Sequence, residues 1–270
     1  MSVILASDLD QTLVFSPRAA ACGPARPTRP VEVLDGEVIS LLSVDTEYGL
    51  VQLARRGCWV PVTTRTRAQY ERIDLPVRAP YAVVASGGLV LLDGQPDRGW
   101  SRTVTARLAE QGSPLVSLRE LFTGYRDRPW FLRLKDADEL FLVAAVDADH
   151  LSAEQQEEIT ASCAAHGWRA VHQGRKLYVL PGGLDKAGAV AHVAERVGHD
   201  LGTAPTVFAA GDTLLDWKML LAADRAWLPA GSELDRLGMS AAHVTCTSQP
   251  GLAAAEEIVG QWLDLLPRTT

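Results

Sequence analysis

The chain has 270 residues, of which 47% are hydrophobic and 22% charged, a composition typical of globular proteins. This length is enough to bury the core of one large domain or of two modest ones. Its net charge of −7, without a basic run, argues against nucleic-acid binding, because that affinity comes mainly from Lys and Arg on phosphates. No signal-peptide pattern or membrane-spanning apolar run is present, so we expect a cytoplasmic location and no membrane partner. The four scattered cysteines form no CxxC pair, which predicts neither a zinc site nor a disulfide framework.

The first apolar run, Val3–Ala6, predicts a buried strand that leads into Asp8 and Asp10. Two carboxylates one residue apart lie on the same side of an extended backbone, and burying both is costly unless a cation or strong donors are present. Because ligands of open α/β sheets bind outside the carboxyl ends of the strands, we interpret this stretch as a candidate site. The alternative is a polar turn in which Asp8 caps a neighbouring element.

The chain up to the first glycine-rich joint continues with strand and helix signals. Residues 16–30 have the composition of a loop, and Asp35-Gly36 is a strong two-residue turn between the predicted hairpin strands Val31–Leu34 and Val38–Leu42. The elements that follow are a helix from Asp45 to Arg56, a strand at Trp59–Val62, a helix at Ala68–Ile73, a strand at Tyr81–Ala85 and a hairpin beginning with Leu89–Leu92.

A different pattern occupies the middle of the chain, from about Trp100 to Gln173. Helices that pack on one face of an antiparallel sheet form a separate α+β module. The predicted elements are two helices between Ser101 and Phe122, strands at Trp130–Leu134 and Leu140–Val146, a helix at Ser152–His166, and strands at Trp168–His172 and Lys176–Leu180.

After Pro181-Gly182-Gly183 the alternation of strands and helices resumes. We therefore predict an α/β core at residues 1–86 and 182–270 with an inserted α+β cap domain at residues 87–181, joined by glycine-rich hinges. The later core elements are helices at Asp185–Val197, Leu214–Ala222, Ser232–Leu237 and Leu252–Leu265, and strands at Thr206–Ala210, Arg225–Leu228 and Val244–Thr245.

Four polar stretches fall at strand ends or helix starts of this predicted core. They are Asp8–Thr12, Thr63-Thr64, Lys186 and Gly211–Asp216. The four carboxylates Asp8, Asp10, Asp212 and Asp216 would repel one another unless a hard divalent cation lay among them, and oxygen ligands favour Mg²⁺. One aspartate can attack phosphorus and a neighbour can move a proton, while a Thr hydroxyl and a Lys ammonium hold phosphoryl oxygens.

These residues resemble the haloacid dehalogenase (HAD) superfamily of phosphohydrolases. Its four motifs correspond here to Asp8-Leu9-Asp10-Gln11-Thr12, Thr63, Lys186, and Gly211-Asp212 with Asp216. The insertion between the Thr and Lys motifs resembles the large α+β cap of the Cof-type and sucrose- or mannosylglycerate-phosphatase-like branch. Within that branch, Val60–Thr66 resembles hydrolases encoded beside bacterial tellurium-resistance genes. The resemblance implies an α/β fold, with a Rossmann-like parallel-sheet core and an inserted α+β cap.

The resemblance also implies roles for the motif residues. Asp8 would be the nucleophile that forms an aspartyl-phosphate, and Asp10 would protonate the leaving oxygen and then activate water. Thr63 would hydrogen-bond the phosphoryl group, and Lys186 would hold that group and Asp8 together. Mg²⁺ would be bound by Asp8, the backbone carbonyl of Asp10, Asp212 and, directly or indirectly, Asp216. The chain departs from the family pattern at Gln11, Ser86 and Leu215.

The implied activity is a Mg²⁺-dependent phosphomonoester hydrolase that acts on a small soluble metabolite, such as a sugar phosphate or a phosphoglycerate derivative. The alternatives are a phosphomutase with the same intermediate and a catalytically silent binding module with the HAD fold. Thr63 could also be ordinary strand sequence, Lys186 a surface residue and Asp216 a solvent-facing helix residue. Candidate substrate contacts, with solvated surface side chains as the alternative, are Thr64, Arg65, Arg133 and Arg175.

Overall fold

The chain alternates strands and helices, and a computed structural model describes residues 3–110 and 112–267. The strands are β1 (Val3–Ser7), β2 (Thr28–Leu34), β3 (Glu37–Ser43), β4 (Cys58–Pro61), β5 (Tyr81–Val84), β6 (Leu89–Leu92), β7 (Gln95–Pro96), β8 (Phe131–Ala137), β9 (Phe141–Val146), β10 (Trp168–Gln173), β11 (Lys176–Pro181), β12 (Thr206–Ala210), β13 (Arg225–Leu228) and β14 (Val244–Cys246). The helices are α1 (Pro17–Ala20), α2 (Val44–Leu53), α3 (Arg67–Tyr70), α4 (Arg98–Glu110), α5 (Leu115–Thr123), α6 (Ala153–Ala165), α7 (Lys186–Leu201), α8 (Leu214–Ala222), α9 (Glu233–Arg236) and α10 (Leu252–Leu265).

The core of the first unit is a parallel sheet in the order β14-β13-β12-β1-β4. Every residue of β1 is buried, which explains its uninterrupted apolar run, since parallel strands are covered on both faces. Helices α2 and α10 pack closely: a Cβ on Gly49 would lie 2.2 Å from the Val259 side chain. The predicted α/β core with a parallel sheet is confirmed.

Strands β2 and β3 form the predicted hairpin and extend beyond its predicted ends. Both turn residues, Asp35 and Gly36, have positive φ, as the favoured two-residue turns require. The register of β2 shifts on both sides of Glu32, which marks a bulge. Leu41 of β3 exchanges two backbone hydrogen bonds with Phe15, at 2.9 and 2.7 Å. The hairpin is therefore fastened to the segment that follows Asp10.

The boundary between the two compact units differs from the predicted one. Of the described residues, those up to Asp97 and those from Asp185 onward form the first unit. The sequence predicted a core of residues 1–86 and 182–270. Strand β6 stays with the first unit because it pairs with β5, which is bridged to the sheet through Val62 and Val83. A Cβ on Gly87 would also lie 2.2 Å from the Asp185 carbonyl oxygen, so the backbone at Gly87 packs directly against the backbone at Asp185.

The second unit, Arg98–Leu184, is the predicted α+β insertion. Its antiparallel sheet has the order β10-β11-β9-β8 and is accompanied by α4, α5 and α6. Trp130 is buried beside Tyr125, with ring centroids 5.3 Å apart, and Tyr125 contacts Phe122 edge to face at 5.5 Å. Helix α6 begins at a capping box made by Ser152 and Gln155. Phe122, Tyr125 and Trp130 are part of the buried core of the insertion.

Several helix ends differ from their predicted positions for local reasons. Ser43, not Asp45, caps α2, because its hydroxyl accepts the Thr46 N–H at 3.1 Å. Helix α7 continues past the predicted Val197 and ends where Gly202 adopts a left-handed conformation. The short helix α1 lies in a region predicted as loop. Across residues 3–110 and 112–267, no helix has the length and apolar character needed to cross a membrane.

Candidate active site

The candidate site lies at the carboxyl edge of the parallel sheet, where three strands end side by side. The Asp8 N–H donates to the Ala210 carbonyl oxygen at 2.8 Å, so the end of β1 meets the end of β12. The Val62 N–H donates to the Ser7 carbonyl oxygen at 2.7 Å, which brings Thr63 beside Asp8. The residues predicted from separate stretches of sequence are thus neighbours at one edge.

Lys186 bridges two of the candidate carboxylates. Its ammonium Nζ lies 2.5 Å from Asp8 Oδ1 and 2.5 Å from Asp216 Oδ1, and its side chain is only 2% exposed. A cation at the first position of α7 opposes the helix dipole, and the two carboxylates offset that cost. Burial acts to lower the pKa of Lys186, but the charges of Asp216 and Asp8 raise it above its usual value. Lys186 therefore remains charged.

Asp216 holds both Lys186 and the loop that precedes α8. Its Oδ2 accepts hydrogen bonds from the Thr213 hydroxyl at 2.9 Å, the Thr213 N–H at 3.0 Å and the Asp212 N–H at 3.2 Å. Its Oδ1 accepts from Lys186. Since both oxygens are engaged, Asp216 is better suited to hold Lys186 and Asp212 in place than to be a main cation ligand.

The turn into this loop requires a glycine. A Cβ on Gly211 would lie 2.4 Å from Asp216 Cβ and 2.7 Å from Cγ, so a side chain there must displace the capping carboxylate. Gly211→Ala is expected to destabilise the fold by about 1–3 kcal/mol and to lower activity, as overpacked sites do. Gly260→Ala is the matched control, because α10 leaves open space there and alanine favours helix. Thermal unfolding of both variants tests this, and equal stability would contradict it.

Asp8, Asp212 and Asp216 form a buried acidic cluster. One oxygen of each carboxylate lies within 4.8 Å of the others. Within the described chain, the Asp212 side chain accepts only a long 3.5 Å hydrogen bond from the Thr12 hydroxyl. Burial, reinforced by neighbouring acids and opposed by Lys186, raises the pKa of Asp8 to about 8 and the pKa of Asp212 well above its usual range. Three buried carboxylates against one ammonium fit a hard divalent cation such as Mg²⁺.

The Asp10 side chain points to a different partner. It is 45% exposed, and both of its oxygens are bound by Arg65: Nε to Oδ2 at 2.7 Å and Nη2 to Oδ1 at 2.8 Å. Asp10 is not a member of the acidic cluster, so its backbone carbonyl is the atom that remains for the predicted metal contact. Arg65, predicted as a candidate substrate contact, donates hydrogen bonds to the carboxylates of Asp10 and Glu32 in this structure.

Sequence analysis missed the residues that hold Arg65. Glu32 Oε2 accepts from Arg65 Nη1 at 2.6 Å and from the Ser40 hydroxyl at 3.1 Å, and its Oε1 accepts from Arg72 Nη2 at 3.0 Å. Burial acts to raise the pKa of Glu32, but these partners hold it below the usual range. The sequence shows only a charged residue between Val31 and Val33. Strict alternation along a strand would place Glu32 on the opposite face from Val31, so its burial beside the bulge was not predicted.

The remaining predicted residues are placed as follows. Thr63 is fully buried, and its hydroxyl oxygen accepts the Arg65 N–H at 3.1 Å, so the hydroxyl proton is available to donate. Thr64 is half-buried next to it. Arg133 of β8 and Arg175 of the turn between β10 and β11 are exposed in the second unit.

Solved structures share this fold over nearly the whole chain. The sucrose-phosphatase of Synechocystis sp. PCC6803, in complex with sucrose and phosphate, matches with a TM-score of 0.64 at 14% identity, covering 97% of this chain and 98% of that one. A HAD superfamily phosphatase of Bacteroides thetaiotaomicron matches with a TM-score of 0.61 at 16% identity, covering 97% and 95%. A trehalose-6-phosphate phosphatase related protein matches with a TM-score of 0.57 at 16% identity, covering 97% of each chain.

At 14–16% identity, this structural likeness shows the fold alone. No protein-family model matches the chain, and no curated protein matches it significantly. The fold is that of the HAD superfamily phosphatases, a parallel-sheet core with an inserted α+β domain, as the motif resemblance predicts. The narrower resemblance to tellurium-resistance-linked hydrolases stays a prediction.

Proposed function

We propose that this chain is a cytoplasmic, Mg²⁺-dependent phosphomonoester hydrolase that works through an aspartyl-phosphate on Asp8. The observation that carries the proposal is the contact of the Lys186 ammonium with Asp8, 2.5 Å apart, inside a buried acidic cluster at the carboxyl edge of the sheet. A buried, neutralised carboxylate at a ligand-binding edge is well placed to act as a nucleophile. The fold shared with named phosphatases supports the same assignment.

The first half-reaction transfers the phosphoryl group to the protein. An oxygen of Asp8 attacks phosphorus, the new O–P bond forms, and the bond from phosphorus to the leaving oxygen breaks. For this step Asp10 must carry a proton when substrate is bound, and it donates that proton to the leaving oxygen, so the product leaves as an alcohol. Lys186 and the Thr63 hydroxyl stabilise the negative charge on the phosphoryl oxygens.

The second half-reaction returns Asp8 to its starting state. Asp10, now a carboxylate, takes a proton from a water molecule whose oxygen attacks the phosphorus of the aspartyl-phosphate. The bond between Asp8 and phosphorus breaks, and inorganic phosphate leaves. Asp10 regains its proton and Asp8 its carboxylate, so the cycle balances with one water consumed.

Asp8 and Asp212, together with the backbone carbonyl of Asp10, are the groups that would hold Mg²⁺, and Asp216 would steady them through the loop. The ion supplies charge neutralisation and orientation of the phosphoryl oxygens. Lys186 shares only Oδ1 of Asp8 and so neutralises this carboxylate without covering both of its oxygens. Asp8 can therefore both bind a cation and act as the nucleophile.

The proposed substrate is a small phosphorylated metabolite, such as a sugar phosphate or a phosphoglycerate derivative. The fold likeness to the sucrose-phosphatase and to the trehalose-6-phosphate phosphatase related protein supports a sugar phosphate. Thr64, Arg133 and Arg175 remain the proposed substrate contacts. Arg65 belongs to the same prediction, although its hydrogen bonds to Asp10, Glu32 and Ser40 favour a positioning role.

Phosphate release from a panel of phosphorylated sugars, glycerates and nucleotides, measured with Mg²⁺ and with chelator, tests this function. We expect release that chelator abolishes, and a melting temperature that Mg²⁺ raises, because a ligand bound only by the folded state stabilises it. Asp212→Asn should lose both effects. Asp200→Asn, an exposed carboxylate at the end of α7, is the matched control and should keep them.

The same panel separates the alternatives. Transfer of labelled phosphoryl between two oxygens of one substrate, without free phosphate, would indicate a phosphomutase. A chain that binds Mg²⁺ yet turns over no compound, and whose biological role survives Asp8→Asn, would indicate a silent binding module.

A further inference from the structure

Arg65 fixes the orientation of the Asp10 carboxylate plane. The two parallel hydrogen bonds from Arg65, at 2.7 and 2.8 Å, engage both carboxylate oxygens at once. A forked guanidinium–carboxylate pair fixes orientation as well as distance. Proton transfer to a leaving oxygen, and later from water, depends on that orientation.

Arg65 in turn is held by the β2–β3 hairpin. Its Nη1 donates to Glu32 Oε2 at 2.6 Å and its Nη2 to the Ser40 hydroxyl oxygen at 3.1 Å. The Glu32 side chain is 1% exposed and that of Arg65 12%. Ser40 also donates to Glu32 Oε2, so the three side chains form a closed arrangement. The guanidinium is therefore clamped on both sides.

The charges of this cluster balance internally. Glu32 also accepts from Arg72, so two guanidinium groups face the two carboxylates Asp10 and Glu32. Four hydrogen bonds of Arg65 go to Asp10, Glu32 and Ser40. A neutralised and occupied guanidinium is a poor anion receptor, which favours a positioning role over a substrate contact.

The hairpin that carries Glu32 is itself fixed in place. Leu41 bonds Phe15 through both backbone groups, and the Asp74 N–H donates to the Val31 carbonyl oxygen at 2.7 Å. Arg29 of β2 binds Glu47 of α2 at 3.1 Å. The bulge at Glu32 turns that side chain inward, and bulges commonly redirect a side chain beside an active site.

We propose that Glu32 is a positioning residue for Asp10 and acts through Arg65, so that the β2–β3 hairpin sets the orientation of the proton-transferring carboxylate. This inference rests on the proposed phosphatase function. It predicts that loss of Glu32 impairs proton transfer in both half-reactions and leaves the attack by Asp8 fast only where the leaving group needs no proton.

The test compares two leaving groups in Glu32→Gln. With p-nitrophenyl phosphate, the nitrophenolate leaves without a proton, so attack by Asp8 stays fast and only hydrolysis of the aspartyl-phosphate slows, by about 10²-fold as for a misplaced catalytic group. Rapid mixing should show a burst of one nitrophenolate per active site, followed by slow turnover. With a phosphorylated sugar, whose leaving oxygen needs a proton, the attack itself slows and no burst of released sugar appears.

Two further variants keep the test falsifiable. Glu71→Gln removes the same charge from an exposed carboxylate that pairs with Arg67 outside the hairpin, and it should keep wild-type kinetics. Ser40→Ala loses only the hydroxyl between Glu32 and Arg65, so it folds readily and should show the same burst with a smaller loss. Glu32→Gln and Ser40→Ala with wild-type kinetics, or with equal loss on both substrates and no burst, would overturn the inference while the phosphatase stands. A wild-type chain without turnover would overturn both.

Discussion

Asp8→Asn is expected to abolish turnover, lowering kcat by about 10⁵-fold or more, as removal of a nucleophile does elsewhere. The amide cannot form the acyl-phosphate bond on which both proposed half-reactions depend. The fold should survive, because asparagine has nearly the same shape, still accepts from Lys186 and removes one of three clustered negative charges. We therefore expect an inactive protein whose melting temperature is unchanged or raised.

Single-turnover kinetics, mass spectrometry of the trapped intermediate and thermal unfolding together measure this variant. Asp10→Asn is the informative partner: it should slow turnover yet still form the intermediate with p-nitrophenyl phosphate. Asp200→Asn should leave all three measurements unchanged. An Asp8→Asn protein with a rate within about 10²-fold of wild type would rule out covalent catalysis by this residue.

Lys186→Met is expected to reduce both stability and activity. Methionine fills a similar volume but leaves Asp8 and Asp216 facing each other in a buried site without their shared cation. Breaking a buried ion pair on one side costs about 3–5 kcal/mol, because the remaining charge is left without compensation. Activity should fall as well, because the ammonium that would stabilise the phosphoryl oxygens is lost.

Denaturant unfolding of matched variants measures the stability loss. Lys218→Met is the control: its ammonium pairs with Asp185 at 3.2 Å but is 62% exposed, so its loss should change stability by no more than about 1 kcal/mol. Adding Asp8→Asn to Lys186→Met should recover part of the stability, since it removes one of the uncompensated carboxylates. If Lys186→Met were as stable as Lys218→Met, the ion-pair network would have no structural role.

The sequence predicts the fold well where one physical signal dominates. The apolar run of β1 and the buried strand Thr206–Ala210 are clear because parallel strands are covered on both faces. Asp8 and Lys186 were selected because a strand end and a helix start are unusual positions for those charges. Their contact spans 178 residues of sequence, and the shared edge of a parallel sheet is the reason that separate motifs could be joined in advance.

What the sequence did not predict depends on tertiary contacts. The burial of Glu32 accompanies the two register shifts that flank it, which interrupt the expected alternation of β2. The domain boundary moved because β6 pairs with β5, and no local signal distinguishes that pairing from a strand of the insertion. The commitment of Arg65 to Asp10 was equally hidden, since a surface arginine and a clamped one have the same local sequence.

If the proposed Mg²⁺ binds at the buried acidic cluster, the cellular supply of this ion also affects the lifetime of the protein. Without that cation, the mutual repulsion of Asp8, Asp212 and Asp216 would lower the stability of the folded chain and raise the fraction that unfolds at any moment. Proteases degrade that fraction, so a difference of one or two kcal/mol changes abundance several-fold. A shortage of magnesium would then reduce the amount of the enzyme as well as the rate of each molecule.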